Sequence, residues 1–224
     1  MTMLDRVQTI QLKILLITIV LTMSACQIPA SSSLWTNLPS NSVLFQDNFS
    51  NPSSGWLNLP DDPLGARHYL GEYYRIMVNS SHSLLTSTPG LNFLDVHIYV
   101  TTLKKDGAVD DSYGILCRWQ DSQNFYFHVI SSDGYYGIGK VSNGSQMLLG
   151  VDKMLPSETI NQGLGINHLR ADCVGDALSL HVNGNHLITV IDNEFSSGDV
   201  GLLAGTFTEP GTEIIFSNFS VLKP

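Results

Sequence analysis

The chain has 224 residues, enough for one sizeable domain plus an export segment. Only 14% of its residues are charged and its net charge is −9 with no basic run, which argues against a nucleic-acid surface. Glycine is frequent, with 19 residues, as in loop-rich β proteins.

Residues 1–25 read as an export segment rather than as part of a fold. Arg6 and Lys13 precede an apolar run, Ile14–Met23, and small residues Ser24 and Ala25 follow it. The run is short for a membrane span, which needs about 20 residues. The string Leu21-Thr22-Met23-Ser24-Ala25-Cys26 resembles the bacterial lipobox. That resemblance implies that Cys26 carries acyl chains, palmitate among them, and begins the mature protein. The other reading is an ordinary secretory signal with a chance cysteine. Acyl chains on one cysteine would anchor the protein firmly, because each buried CH₂ contributes about 0.8 kcal/mol. Gln27 is not aspartate, so nothing there argues for retention at an inner membrane. The expected location is the bacterial cell envelope, on the outer face of a membrane. Residues 26–42 then form a Ser/Pro/Asn-rich tether, and 43–223 a β-sandwich.

The domain opens with an alternating strand, Val43–Phe49, and closes with another, Glu213–Val221. Such first and last strands often pair. Between them the strand candidates are Gly71–Val78, Phe93–Leu103, Gln146–Gly150, Asn167–Val174, Ala177–Val182, His186–Ile191 and Gly198–Thr206, besides a central meander. Turn signals separate them, as in a sandwich or barrel. Asn183-Gly184 marks a tight hairpin, because both residues tolerate positive φ. Ser157–Gly163 can form one helical turn, and Asp106–Asp111 a loop at the sheet rim.

The meander, Gly114–Lys140, is the clearest signal in the chain. Turns at Asp121–Asn124 and Ser131–Gly134 divide it into three strands. Turn length places Arg118 opposite Tyr126 and Leu116 opposite His128. Ile115, Cys117, Trp119, Phe125, Phe127, Val129, Tyr136 and Ile138 then face the core. Arg118, Tyr126, His128, Tyr135 and two glycines take the other face. Aromatics, donors and a floor without side chains suit a sugar-binding groove. The alternative is an ordinary solvated face. A slip of one residue would exchange the faces.

Several strings together carry a family resemblance. They are Phe45-Gln46-Asp47-Asn48-Phe49, Ser54-Gly55-Trp56, Tyr113–Arg118, Asn124–Phe127, Asp133–Tyr136, Asn167–Gly175, Val182-Asn183-Gly184, Gly198–Leu202 and Phe216–Phe219. The chain resembles the concanavalin A-like lectin/glucanase jelly roll, nearest to the 3-keto-disaccharide hydrolase domains. The resemblance implies an all-β, two-sheet antiparallel sandwich. It does not transfer an activity.

Cys117 and Cys173 are an even pair in an exported chain, which reads as a disulfide. Two buried thiols that never meet are the other possibility. The carboxylate spacing of the sandwich glucanases, E-x-D-x-x-E or E-x-D-x-E, is absent, and so are the common nucleophile and metal motifs. His181 and His186 flank the Asn-Gly turn and could face each other across a hairpin. No cofactor motif appears. Asp47 could hold a structural calcium, as resembling domains sometimes do, or cap a turn. The expected function is non-catalytic carbohydrate binding through Arg118, Tyr126, His128, Tyr135 and Arg170, with Asp172 able to neutralise Arg170. The alternatives are a glycoside hydrolase-like enzyme acting on modified disaccharides and a domain for protein contacts.

Overall fold

The structure is a computed structural model and describes residues 42–224. The expected export segment, Cys26 and the expected tether up to residue 41 lie outside the described residues. Sixteen strands are described: β1 (Val43–Asp47), β2 (Leu59–Asp62), β3 (Gly65–Tyr69), β4 (Tyr74–Val78), β5 (Leu84–Ser87), β6 (Val96–Asp106), β7 (Ser112–Asp121) and β8 (Asn124–Ser131), followed by β9 (Tyr135–Ser142), β10 (Ser145–Leu148), β11 (Leu155–Pro156), β12 (Ile166–Val174), β13 (Ala177–Val182), β14 (Asn185–Ile191), β15 (Asp199–Gly205) and β16 (Thr212–Leu222). They form two antiparallel sheets. The first runs β14-β13-β12-β6-β16-β4-β3-β2, with β1 also on β16; the second runs β10-β9-β8-β7-β15-β5, with β11 on β9.

The two sheets bury one main core between them. In the first sheet, period-2 alternation does the work. On β12, Leu169, Ala171 and Cys173 point inward while His168, Arg170 and Asp172 point out. On β13, Leu178, Leu180 and Val182 do the same. Asn183 (φ 50°) and Gly184 (φ 84°) close the β13–β14 hairpin in the left-handed region, as the Asn-Gly signal requires. The terminal strands pair as expected, Val43 opposite Leu222 and Asp47 opposite Phe219. At that end Phe49, Trp56, Tyr74 and Phe219 form an aromatic cluster, with Trp56 edge-on to Phe219 at 4.9 Å.

Asp47 organises the corner beneath this cluster. Its Oδ1 accepts from the Phe49 N–H at 2.7 Å. Its Oδ2 accepts from Ser54 Oγ at 2.5 Å and Trp56 Nε1 at 2.9 Å. The carboxylate therefore caps the turn, the second of the two roles its sequence allows. Residues 157–163 form turns rather than a helical turn. Strands β2, β3 and β5 have no counterpart among the expected elements. They are four or five residues long, too short for a clear period.

The meander departs from expectation in one respect. Cys117 lies opposite Tyr126 and Ile115 opposite His128, one residue away from the pairing that turn length suggested. The register breaks between Cys117 and Asp121, at a bulge where Arg118 takes φ 50°. A bulge inserts extra residues into one strand, so the faces on its two sides no longer follow one count. Tyr126, His128 and Ile130 consequently face the core, with Ile115, Cys117, Tyr136 and Ile138. Phe125, Phe127 and Val129 take the outer face with Leu116, and Trp119 packs on them. Trp119 and Phe125 stack at 4.7 Å. The outer set of β8 is the more apolar of the two, so hydrophobicity alone picks the wrong face.

Cys117 and Cys173 form the expected disulfide, joining β7 of one sheet to β12 of the other.

Candidate functional site

The five residues expected to share one open face do not converge. Tyr135 does sit on the outer face of the second sheet, 40% exposed. Arg170 lies on the outer face of the first sheet. Its Nε is 2.6 Å from Asp172 Oδ1, and its guanidinium covers Tyr99 at 5.3 Å, so Asp172 neutralises it. The same carboxylate meets His97 Nδ1 at 2.7 Å and His181 Nε2 at 3.2 Å. Burial alone would raise the Asp172 carboxyl, but hydrogen bonds from His97 and Arg170 outweigh it and hold the carboxyl at about 2. His181 and His186 face each other across the hairpin at 5.0 Å, as their flanking positions suggested.

Arg118, Tyr126 and His128 are buried, which corrects their expected place on the open face. Arg118 reaches inward at the end of the sandwich. It donates to the carbonyls of Phe195 at 2.8 Å and Gly175 at 2.6 Å, and it pairs with Asp95 at 3.2 Å. Tyr126 Oη donates to Asp192 Oδ1 at 2.5 Å and accepts from the Phe195 N–H. Burial, reinforced by Asp192, pushes its phenol up to about 12. His128 is fully buried, and burial holds its imidazole down to about 3, so it is neutral. A cavity of about 330 Å³ lies beside Arg118, lined also by Asp95, Asp176 and Asn193. The arginine's Nη1 and Nη2 are committed to the chain's own carbonyls and to Asp95, while its buried Nε has no partner among the described residues.

A different arrangement offers free groups. On the outer face of the second sheet a groove crosses β8, β7 and β15. Its apolar half is about 180 Å³ and is lined by Phe127, Val129, Leu148, Met154, Leu203 and Phe207. Its polar half, also about 180 Å³, adds His82, Ser83 and Thr206. Leu84, Ser112, Gln146 and Phe207 line both halves, so the groove is continuous.

Two glycines shape it. A Cβ at Gly139 would come within 2.2 Å of the Phe127 ring and 2.4 Å of the Met147 carbonyl. Without one, the Phe127 ring packs against Gly139 and is itself buried. Gly137 likewise seats Leu148 and Met154, 3.0 and 3.4 Å from where its Cβ would stand. The side-chain-free floor anticipated from sequence exists, but aliphatic and aromatic groups fill it and become the groove wall.

The polar groups at the junction are unspent. Neither the Ser112 hydroxyl nor the Gln146 amide makes a hydrogen bond to another described residue, and Gln146 is exposed. Thr206, by contrast, donates to the Ser80 carbonyl. Phe207 is 45% exposed at the groove mouth. An apolar cleft with a few convergent polar groups is the usual form of a small-molecule site. Each half is smaller than the ~300–1,000 Å³ of a typical ligand pocket, so each suits one small ring. Sequence reasoning missed the groove because its lining comes from six separate segments. The one local signal was the Gly137-x-Gly139 spacing on β9.

Among solved structures, the chain is similar to carbohydrate binding module CBM66 from Bacillus subtilis, at 18% identity and TM-score 0.59, over 76% of this chain and 96% of that one. It is similar also to a Bacillus subtilis protein of unknown function with a galectin-like fold, at 11% identity and TM-score 0.60, over 81% and 96%. A xylan β-1,4-xylosidase from Bacillus halodurans matches at 13% identity and TM-score 0.58, over 80% of this chain but 39% of that one. At these identities the likeness shows the fold, an all-β sandwich, and not an activity. No family model matches the chain. No curated protein matches it.

Proposed function

We propose that this protein is a non-catalytic carbohydrate-binding module, anchored through acyl chains on Cys26 to the outer face of a bacterial membrane. The observation that carries the binding role is the continuous groove, with Phe127 in its apolar half and exposed Phe207 beside unspent Ser112 and Gln146 groups at its junction. A sugar ring has an apolar C–H face and an edge of hydroxyls. The aromatic half takes the face, and Ser112 and Gln146 exchange hydrogen bonds with the edge. The likeness to a carbohydrate binding module agrees with this reading.

Hydrolysis of modified disaccharides, the narrower activity that the sequence resemblance suggested, has less support. Glycoside hydrolysis ordinarily uses two carboxyl groups flanking the bond. Among the described residues lining the groove there is no aspartate or glutamate.

The test is a glycan array probed with the soluble domain from residue 42 onward. Phe207→Ala and Gln146→Ala should each weaken binding to the best glycan by about tenfold, which is ~1.4 kcal/mol. Arg170→Ala on the opposite sheet should leave it unchanged. Loss with Arg170→Ala but not with the groove variants would place the site elsewhere. For the anchor, Cys26→Ser should move the protein from the membrane fraction to the soluble one and abolish labelling by an alkynyl palmitate. Unchanged fractionation would exclude lipid attachment.

A further inference from the structure

His128 is a chemical anomaly in this core. It is 0% exposed, and neither ring nitrogen has a hydrogen-bond partner among the described residues. Buried polar atoms are nearly always paired, because leaving one unpaired forfeits its hydration without return. What His128 does face is sulfur. One donor atom from each of Cys117, Cys173 and His128 can be chosen so that all three lie within 4.8 Å of one another. Cys117 comes from β7, His128 from β8 of the same sheet, and Cys173 from β12 of the other. The three donors thus meet at the mid-plane of the sandwich, held by strands whose registers fix their directions.

We propose that this position has two alternative occupants: the disulfide in the oxidised chain, and a thiophilic d¹⁰ cation, Zn²⁺ or Cu⁺, in the reduced one. The exchange balances with a dithiol as reductant. The dithiol gives two electrons and two protons to the Cys117–Cys173 bond, leaving two thiols and a cyclic disulfide product. Metal binding then releases the two thiol protons, and each sulfur bonds the cation as a thiolate. Neutral His128 supplies a nitrogen lone pair as the third ligand and gains a partner it otherwise lacks. Thiolate and imidazole are the donor set these cations prefer among first-row metals. The two candidates differ in what the site gives them. With Zn²⁺, two thiolates and an imidazole are neutral overall, which suits a dry core, but a fourth ligand must come from water. With Cu⁺, three ligands complete the shell and the site keeps one negative charge. All three donor residues are buried, so the cation enters while the reduced chain folds.

The test uses the full chain in detergent, with Cys26→Ser to remove the third thiol. It is unfolded with a dithiol and refolded anaerobically with one equivalent of Zn²⁺ or of Cu⁺ in separate arms. After desalting, metal per folded chain is measured. The expected result is about one metal per chain in one or both arms. His128→Leu should lower retention at least tenfold, and Cys117→Ser should abolish it. Zn²⁺ retention alone identifies the neutral four-ligand site; Cu⁺ retention alone identifies the three-ligand one. Equal retention by the wild-type and His128→Leu chains would show simple capture by two thiols and overturn the proposal. So would no retention in either arm. Should His128→Leu fail to fold, X-ray absorption at the edge of whichever metal the wild-type chain retains decides. Imidazole nitrogen beside two sulfurs supports the site, and sulfur ligands without imidazole overturn it.

Discussion

Reducing Cys117–Cys173 should cost this domain a large share of its stability. The bond closes a loop with a sequence separation of 56 residues and ties the two sheets together. In the chain-entropy description, the unfolded chain loses 2.1 + 1.5R ln n cal/mol/K, with n the loop length. For a loop of this length that is about 14 cal/mol/K, or about 4 kcal/mol at 25 °C. Domains are typically stable by only ~5–15 kcal/mol, so the reduced domain keeps its fold with a much narrower margin. The assay is urea unfolding of the domain from residue 42 onward, with and without a dithiol, in the presence of a chelator that keeps the thiols metal-free. Trp56 in the core and Trp119 on the outer face report from two sides of the second sheet. With a urea slope of about 2 kcal/mol/M, the midpoint should fall by about 2 M. A fall below about 0.5 M, with both thiols shown to be alkylated after unfolding, would refute the entropic account of this bond. Two reactive thiols in unfolded but unreduced protein would refute the bond itself.

Gly139→Ala should cost about 1–3 kcal/mol, because its Cβ meets both the Phe127 ring and the β10 backbone, and one of them must move. Thermal unfolding checks the stability, and glycan binding should fall with it because the groove wall shifts. Arg118→Lys should destabilise the domain by about 2–4 kcal/mol, since one ammonium cannot serve the Phe195 carbonyl, the Gly175 carbonyl and Asp95 together. A urea midpoint matching the wild type would contradict that role. Asp172→Asn should lower stability at neutral pH by on the order of 1 kcal/mol, discounted for the partial exposure of its partners. The sign follows from the folded carboxyl being held down at about 2. The unfolded chain takes up the proton first, so this contribution is complete above about pH 4 and is lost as pH falls through 2. The acid limb of wild-type stability should therefore be steeper than that of Asp172→Asn between pH 4 and 2, and parallel limbs would overturn the assignment.

Much of the sandwich was legible in the order of residues alone. Alternation on β12 and β13 placed Cys173 inward beside Leu169 and Ala171, Asn183-Gly184 dictated its hairpin, and the end strands matched each other. These are local signals, since each depends on neighbours one or two positions away or on the φ preference of a single residue. The orientation of β8 is not of that kind. Its more polar set, Tyr126 and His128, is the one that turns inward, and its register hangs on a bulge at Arg118. That bulge is held by carbonyls 57 and 77 positions along the chain, at Gly175 and Phe195. Only the closed sandwich brings those carbonyls to the guanidinium, so only the tertiary structure could decide that Tyr126 and His128 turn inward. The groove follows the same logic. Residues as distant as Leu84 and Phe207 become its wall because β5, β15, β7, β8 and β9 lie side by side, an adjacency that no stretch of the chain encodes by itself.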